Sequence, residues 1–371
     1  MFIKNYSSDD EIFHGKKEST GILLVNLGTP AAADVPSVKR YLAEFLTDPR
    51  VVEIPKVAWI PLLYGVILRK RAPISAKAYA SVWTDEGSPL MVYSQRLADK
   101  LAKQLQQRYS GTITLALAMR YGEPSIKKAL AELRQQGARR IVVLSLYPQY
   151  SATTTATVFD KVAKVLSRWR WIPEMRFINQ YHDYHYYIST LKSSIKSYWQ
   201  KHGQGFLLLS FHGLPQRNLQ LGDPYYCQCH KTARLLAESL GLAEDEWKVS
   251  FQSRFGKAQW IQPYTNVSLE ELAKQGQVRV DVVCPGFPVD CLETLEEMNV
   301  ENREVFIEAG GADYHYIPAL NDSAEHVTAL SELLHEHMQG WPETDKNRVE
   351  SQVESEALKA KERALALGAK V

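Results

Sequence analysis

Several things are scarce or missing in this chain. Four cysteines in 371 residues cannot staple a fold of this size, so a disulfide scaffold is excluded and a reducing compartment is expected. Neither charge sign dominates: 44 Lys and Arg stand against 42 Asp and Glu. Without a basic stripe there is no electrostatic footprint for a nucleic-acid partner. No apolar run reaches the roughly 20 residues of a membrane span. The longest, VAWIPLLYGVIL at 57–68, is interrupted by Pro61 and Gly65, and it lies too far into the chain for a signal peptide. There is no G-x-x-x-x-G-K-[ST], no G-x-G-x-x-G after the first apolar strand and no G-x-S-x-G. These absences argue against an NTPase, a dinucleotide enzyme and a serine hydrolase.

What is present is an ordinary globular composition, 45% apolar and 23% charged, at a length that allows two or three domains. Short apolar runs read as buried strands at 21–28, 112–119, 140–146, 205–211, 248–253 and 278–284. Helical patterns lie between them, at Tyr93–Arg108, Ser125–Gln136 and Thr232–Leu240. The alternation predicts an α/β protein with parallel, doubly wound sheets. LLVNLGTP and LLLSFHGLP echo each other, each placing Gly and Pro directly after an apolar strand. Two similar lobes follow, 20–180 and 181–340, with a polar extension at 1–19 and a charged tail at 341–371. Ligands of such folds bind beyond strand C-termini, and an interlobe cleft is the first place to expect one. From Glu343 onward the tail holds six acids, six bases and no aromatics. It reads as a solvated helix or frayed end, dispensable for the core function.

Three groups of residues could carry chemistry. His212 follows a strand of consecutive apolar residues, where a neutral imidazole can accept a proton or bind a divalent metal. In CPGFPVDCLETLEEMNVENREVF, residues 284–306, a helix opens near Asp290. Glu293, Glu297 and Glu301 then recur every four residues on one face, with no base until Arg303. The row is either a solvated acidic face or a line of carboxylates that hands on a cation; with one imidazole it suits Fe²⁺. Cys227 and Cys229, with Cys284 and Cys291, lack metal-site spacing and read as reduced structural thiols. Taken alone, 57–68 followed by Arg69, Lys70 and Arg71 predicts a buried helix and a solvated basic turn; an exposed apolar lip with a basic rim is the alternative.

The chain resembles the ferrochelatase family over about residues 20–340. The motifs are NLGTP at 26–30, MRYGEP at 119–124, LYPQYS at 146–151, SFHGLP at 210–215, GDPY at 222–225, FQSRFG at 251–256 and CPGFPVDCLETLEE at 284–297. The resemblance implies two Rossmann-like lobes clamping a porphyrin, and a lyase that inserts Fe²⁺ into protoporphyrin IX at the last step of haem synthesis. It implies His212 and Glu293 as catalytic and metal-binding residues facing one another across the macrocycle, with Glu297 and Glu301 as an acidic path. His212 is then the proton acceptor with Glu293 assisting metal or proton movement, or the roles are reversed. Arg71, Tyr79, Ser88, Arg120, Tyr121, Tyr147, Tyr225 and Trp260 fall on substrate-binding positions, and 57–71 on a lip that touches lipid in membrane-associated relatives.

Fe²⁺ is thus a substrate, and no resident cofactor is implied. Relatives with a [2Fe–2S] cluster carry a cysteine where this chain has Ala152 and three more near the C-terminus; no cysteine follows Cys291 here, which argues against that cluster. Cys291 stands where several relatives have histidine. The tail beyond about residue 342 is outside the motifs, and no oligomeric state is implied. A polar N-terminus without an Arg-rich transit signal suggests a bacterial, cytoplasmic enzyme with peripheral membrane contact through 57–71. The competing expectations are a coproporphyrin III ferrochelatase, a cobalt or nickel chelatase, and a tetrapyrrole- or metal-binding protein without turnover.

Overall fold

The computed structural model describes residues 17–256, 258–345 and 347–369; most of the expected N-terminal extension lies outside these. Eight strands form two separate four-stranded parallel sheets. β1 (Ser19–Asn26), β2 (Ile113–Met119), β3 (Ala138–Ser145) and β4 (Glu174–Ile178) make the first, in the order β2-β1-β3-β4. β5 (Phe206–His212), β6 (Trp247–Gln252), β7 (Arg279–Val283) and β8 (Asp313–Tyr316) make the second, in the order β6-β5-β7-β8. The two orders are the same, so the internal echo in the sequence is a repeated topology.

The register explains why the inner strands were easy to recognise. Leu24 of β1 pairs with Leu117 on one side and Leu144 on the other, and Leu208 of β5 lies between Lys248 and Val282. Strands covered by helices on both faces need apolar side chains throughout. Two of the four edge strands, β4 and β8, escaped the sequence pattern. EMRFI and DYHY are short, polar at alternate positions and paired on one side only.

In each sheet the first strand has its sequence neighbours on opposite sides, so the winding reverses at its C-terminal end. A crevice opens at such a switch point. In the first lobe Leu27–Pro30 lies there; in the second, His212–Pro215 does. The lobes share one apolar core, in which Leu24, Leu97 and Leu144 join Leu209, Phe211 and Leu330. Asp223 of GDPY staples them from outside the core. It accepts hydrogen bonds from Ser151 Oγ (2.9 Å) and the Ala152 amide (2.8 Å), both in the loop after β3.

Two expectations need correction. The 57–68 segment is not a buried helix, and no basic turn ends it. A continuous helical stretch runs from Lys56 through a π-helical step at Leu63–Ile67 to Val82, with Arg69, Lys70 and Arg71 inside it. Trp59, Leu63 and Leu68 turn inward against Leu46, and Trp59 Nε1 donates to the Leu46 carbonyl (2.6 Å). Val57 is 90% exposed, and Leu62, Tyr64, Val66 and Ile74 also face outward. The segment is apolar all round but has a packing partner on one side only, so its other face forms an exposed lip. Second, the acidic segment is a π-helix over Glu293–Glu301, not an α-helix. The three acids stay near one another in this wider coil, and Glu296 joins them, as its titration below shows.

The tail has two parts. Trp341 and Glu343 are buried. Glu343 accepts from Thr20 Oγ1 on β1 and Arg140 Nη1 on β3, both at 2.9 Å. Beyond this anchor the helix Glu350–Ala366 buries no residue. No helix among the described residues is long and apolar enough to cross a membrane.

Candidate active site

His212 is the last residue of β5. Its Nδ1 lies 2.6 Å from the Gly213 carbonyl oxygen. A carbonyl can only accept, so Nδ1 carries a proton, and in the neutral ring Nε2 is the nitrogen left to act as base or ligand. Three contacts fix the turn beneath it. Gly213 N–H donates to the Gln252 carbonyl (2.7 Å), and a Cβ on Gly213 would stand 2.7 Å from that same oxygen. Trp260 packs under the turn and is held by its Nε1 donating to the Phe255 carbonyl (2.9 Å). Tyr225 is buried behind the strand end, its hydroxyl against the His212 backbone. Tyr225 and Trp260 therefore support the histidine from behind.

The carboxylates approach from the π-helix. Its start is pinned by Asp290, whose oxygens accept from Thr294 Oγ1 (2.9 Å), Tyr316 Oη (2.6 Å) and Asn321 Nδ2 (2.7 Å). Gln252 Nε2 donates to the Glu293 carbonyl (3.0 Å), tying the π-helix to the end of β6. Glu297 receives the Ser253 amide (2.7 Å) and the Ser253 hydroxyl. Burial pushes the Glu297 carboxyl up; the Ser253 hydrogen bonds and then the nearby His212 pull it back, while Glu293 adds to the rise. Glu296 is also raised, by burial first and then by Glu301, Glu297 and Glu293. The charges of Glu301, Glu297 and Glu293 thus reach Glu296, and the row runs from half-buried Glu293 and Glu297 to exposed Glu301. Glu296 was not singled out from the sequence because it breaks the four-residue spacing.

The first lobe meets this row with aromatics. Tyr79 is buried edge-on to Tyr41 and Trp83, and burial followed by the charge of Glu293 raises its hydroxyl well above the usual value. Glu293 and Tyr79 therefore sense each other across the lobes. Arg71, on the lip, lies 4.2 Å over the ring of Phe255 in the other lobe, spanning the cleft mouth. Ser88 accepts from Thr29 Oγ1 (2.8 Å) at the wall of a cavity of about 350 Å³ that Tyr41, Trp83 and Met91 also line. The buried Tyr147 hydroxyl has no hydrogen-bond partner among the described residues, and Tyr121 and Arg120 are the charges it senses.

Arg120 and Tyr121 are placed differently from the rest. Tyr121 is wholly buried, and both residues bond to Asp48: Arg120 through Nη2, and Tyr121 through its hydroxyl at 3.0 Å. Asp48 had no motif to signal it, since a single acid before Pro49 looks like any turn residue. The cysteines do not gather. Cys227 is exposed, Cys229, Cys284 and Cys291 are buried, and all four are free thiols. Burial, then the charge of Glu293, holds the Cys291 thiol neutral. Among the described residues no three His, Cys, Asp or Glu side chains are grouped closely enough to hold a metal ion.

Comparison with known proteins identifies the family. The ferrochelatase family model matches residues 19–338. A ferrochelatase of Thioalkalivibrio sulfidiphilus is 52% identical over 366 residues, covering 98% of this chain and 99% of the relative. One from Nitrosococcus oceani is 51% identical over 367 residues, covering 99% and 100%. These alignments run through the C-terminal tail, which the motifs had left out. Among solved structures, SirB from Bacillus subtilis, determined with Fe³⁺, superposes with a TM-score of 0.52 at 14% identity, covering 88% of this chain and 100% of SirB, a likeness of fold. The chain belongs to the ferrochelatase family, the lyases that insert Fe²⁺ into a porphyrin for haem synthesis.

Proposed function

We propose that the porphyrin is protoporphyrin IX, that His212 accepts its pyrrole protons, and that Glu293 brings in the iron. The observation that carries this reading is the Gly213 carbonyl at His212 Nδ1, which makes Nε2 the nitrogen that a neutral ring has left to accept a proton at a switch-point crevice. Insertion replaces two N–H protons of a neutral macrocycle with one Fe²⁺, so two protons leave and no charge accumulates on the ring. A base near neutral pH is needed on one side, and oxygen ligands that hold Fe²⁺ loosely on the other. Nε2 takes each proton and passes it to the adjoining carboxylates; Glu293, Glu297 and Glu301 give a graded route between the cleft and the surface. Fe²⁺ is a substrate here, and no resident cofactor is required.

The aromatic walls suit a flat apolar ring, and the bases suit its carboxylates. Arg120 is already neutralised by Asp48. Arg71 and its neighbours on the lip remain as anchors, which favours two propionates over the four carboxylates of coproporphyrin III. The same lip, apolar with a basic rim, supports peripheral contact with an anionic membrane, and the four free thiols support a cytoplasmic setting.

The test is anaerobic turnover of purified protein with Fe²⁺ and each porphyrin, followed by loss of the free-porphyrin absorption bands. Preference for protoporphyrin IX is expected. Preference for coproporphyrin III overturns the substrate assignment, and binding of either without insertion overturns the chemistry. Co-sedimentation with anionic vesicles tests the lip: polar replacements at Val57, Leu62 and Val66 should abolish binding if it docks there.

A further inference from the structure

We propose that Ser253 is a positioning residue for iron insertion: it takes up a left-handed backbone so that its amide and hydroxyl hold both oxygens of Glu297 beside His212. The inference rests on the reading of His212 and the acidic row as the reacting groups.

Among the described residues only Ser253 (φ 65°) and Asn321 (φ 49°) combine a side chain with positive φ. Asn is tolerated in that region; Ser is strained there, and Gly would fit without cost. Each holds a carboxylate: Asn321 that of Asp290, just before the π-helix, and Ser253 that of Glu297 within it. Asn321 accepts the Asp290 amide (2.8 Å) and donates to the Asp290 carboxylate (2.7 Å), at the start of the segment. Ser253 does the corresponding work in its middle. Its amide reaches Glu297 Oε1 at 2.7 Å and its hydroxyl reaches Oε2.

A left-handed turn directly after β6 is what aims both donors the same way. A glycine would keep the turn and the amide and lose only the hydroxyl, so the strain at Ser253 is explained by what that hydroxyl does. With both oxygens held, the carboxylate cannot swing away from His212 when a proton or a cation arrives. The neighbouring Gln252 fixes the same turn to β5 and the π-helix, accepting from Ser210 Oγ (2.8 Å) and donating to the Glu293 carbonyl (3.0 Å). Ser253 is thus clamped at its N-terminal side and transmits that rigidity to Glu297.

The experiment is S253G in the full chain, alone and combined with E297Q, measured by anaerobic iron insertion and thermal unfolding. Loss of one charge-assisted hydrogen bond should lower kcat by about tenfold or more. The porphyrin KM should not change, and the thermal midpoint should be unchanged or higher. In the E297Q background S253G should cost nothing further, because the group it orients is already altered. An S253G enzyme with wild-type kcat overturns the proposal. So does a kcat loss that accompanies a lowered thermal midpoint, or one that persists undiminished in E297Q. If wild-type protein inserts no iron, the underlying reading falls and the role of Ser253 with it; an active wild type with an unaffected S253G removes Ser253 alone.

Discussion

Removing the Asp48 carboxylate should be among the most damaging single changes outside the catalytic residues. Asp48 and Arg120 are both nearly excluded from water, with side-chain exposures of 7% and 10%. Asp48 also receives the Tyr121 hydroxyl at 3.0 Å and the Arg50 amide at 2.9 Å. In Asp48→Ala the guanidinium keeps only the Thr157 carbonyl (2.9 Å) and the face of the Tyr121 ring. An uncompensated buried charge of this kind costs about 3–5 kcal/mol. Asp48→Asn keeps the volume and one acceptor and should cost less. Urea unfolding provides the assay: the midpoint should fall while the slope stays constant. A double-mutant cycle with Arg120→Met separates the explanations. If the damage comes from the stranded cation, Arg120→Met in the Asp48→Ala background should restore a substantial part of the loss. A loss below about 1 kcal/mol for Asp48→Ala would mean that the pair behaves like a surface ion pair, and the reasoning would be refuted.

Other consequences can be checked alongside. His212→Ala should abolish haem formation while leaving porphyrin quenching of tryptophan fluorescence intact; retained turnover would remove His212 as the base. Gly213→Ala forces a Cβ to 2.7 Å from the Gln252 carbonyl and 3.2 Å from Trp260, displacing the histidine. A displacement of about 1 Å at a reacting group can cost about a hundredfold in kcat, read in the same anaerobic assay. Burial lowers His326 to about 4, so the folded state binds fewer protons than the unfolded state between that value and 6.5. Stability should therefore fall as pH drops through this window, by up to about 3 kcal/mol; denaturation curves at pH 7 and pH 4.5 should converge in His326→Gln. Truncation before Glu350 should leave the unfolding midpoint in place, whereas truncation before Trp341 should lower it, because Glu343 is buried against β1 and β3.

What the sequence made legible was what depends on uninterrupted patterns. Six of the eight strands stood out as largely apolar runs because both of their faces are covered, and His212 stood out because it ends such a run. The edge strands β4 and β8 did not stand out; β8 is four residues with only alternate positions buried. The lip misled because composition cannot say which side of an apolar helix has a partner; Trp59 and Leu63 found Leu46, and Val57 found water. Asp48 lay in no motif, and Asp223 and Ser253, though inside GDPY and FQSRFG, had no role that the sequence could show. Each acts on a residue far away in sequence, as when Asp223 receives Ser151 from 72 residues earlier. Glu296 was missed because the spacing was measured on an α-helix, whereas the backbone there is a π-helix.

The repeated topology makes the division of labour between the lobes informative. Both first strands end at a switch point in a Gly and Pro loop, yet β1 runs into Leu27, Gly28, Thr29 and Pro30, which cannot titrate near neutral pH, while β5 ends in His212. The first lobe contributes rings and hydroxyls that are kept protonated by burial, Tyr41 and Tyr79 among them. The second contributes the imidazole and every acid of the row. Metal insertion as proposed above would use this asymmetry. If both lobes offered bases, the macrocycle would be drawn equally from either face and the cation would have two competing resting places. On the reading proposed above, protons and Fe²⁺ share an acidic route on the second lobe whose outer member, Glu301, is exposed to solvent. The π-helix gathers these acids closely: burial, then the charges of Glu301, Glu297 and Glu293, raise the Glu296 carboxyl.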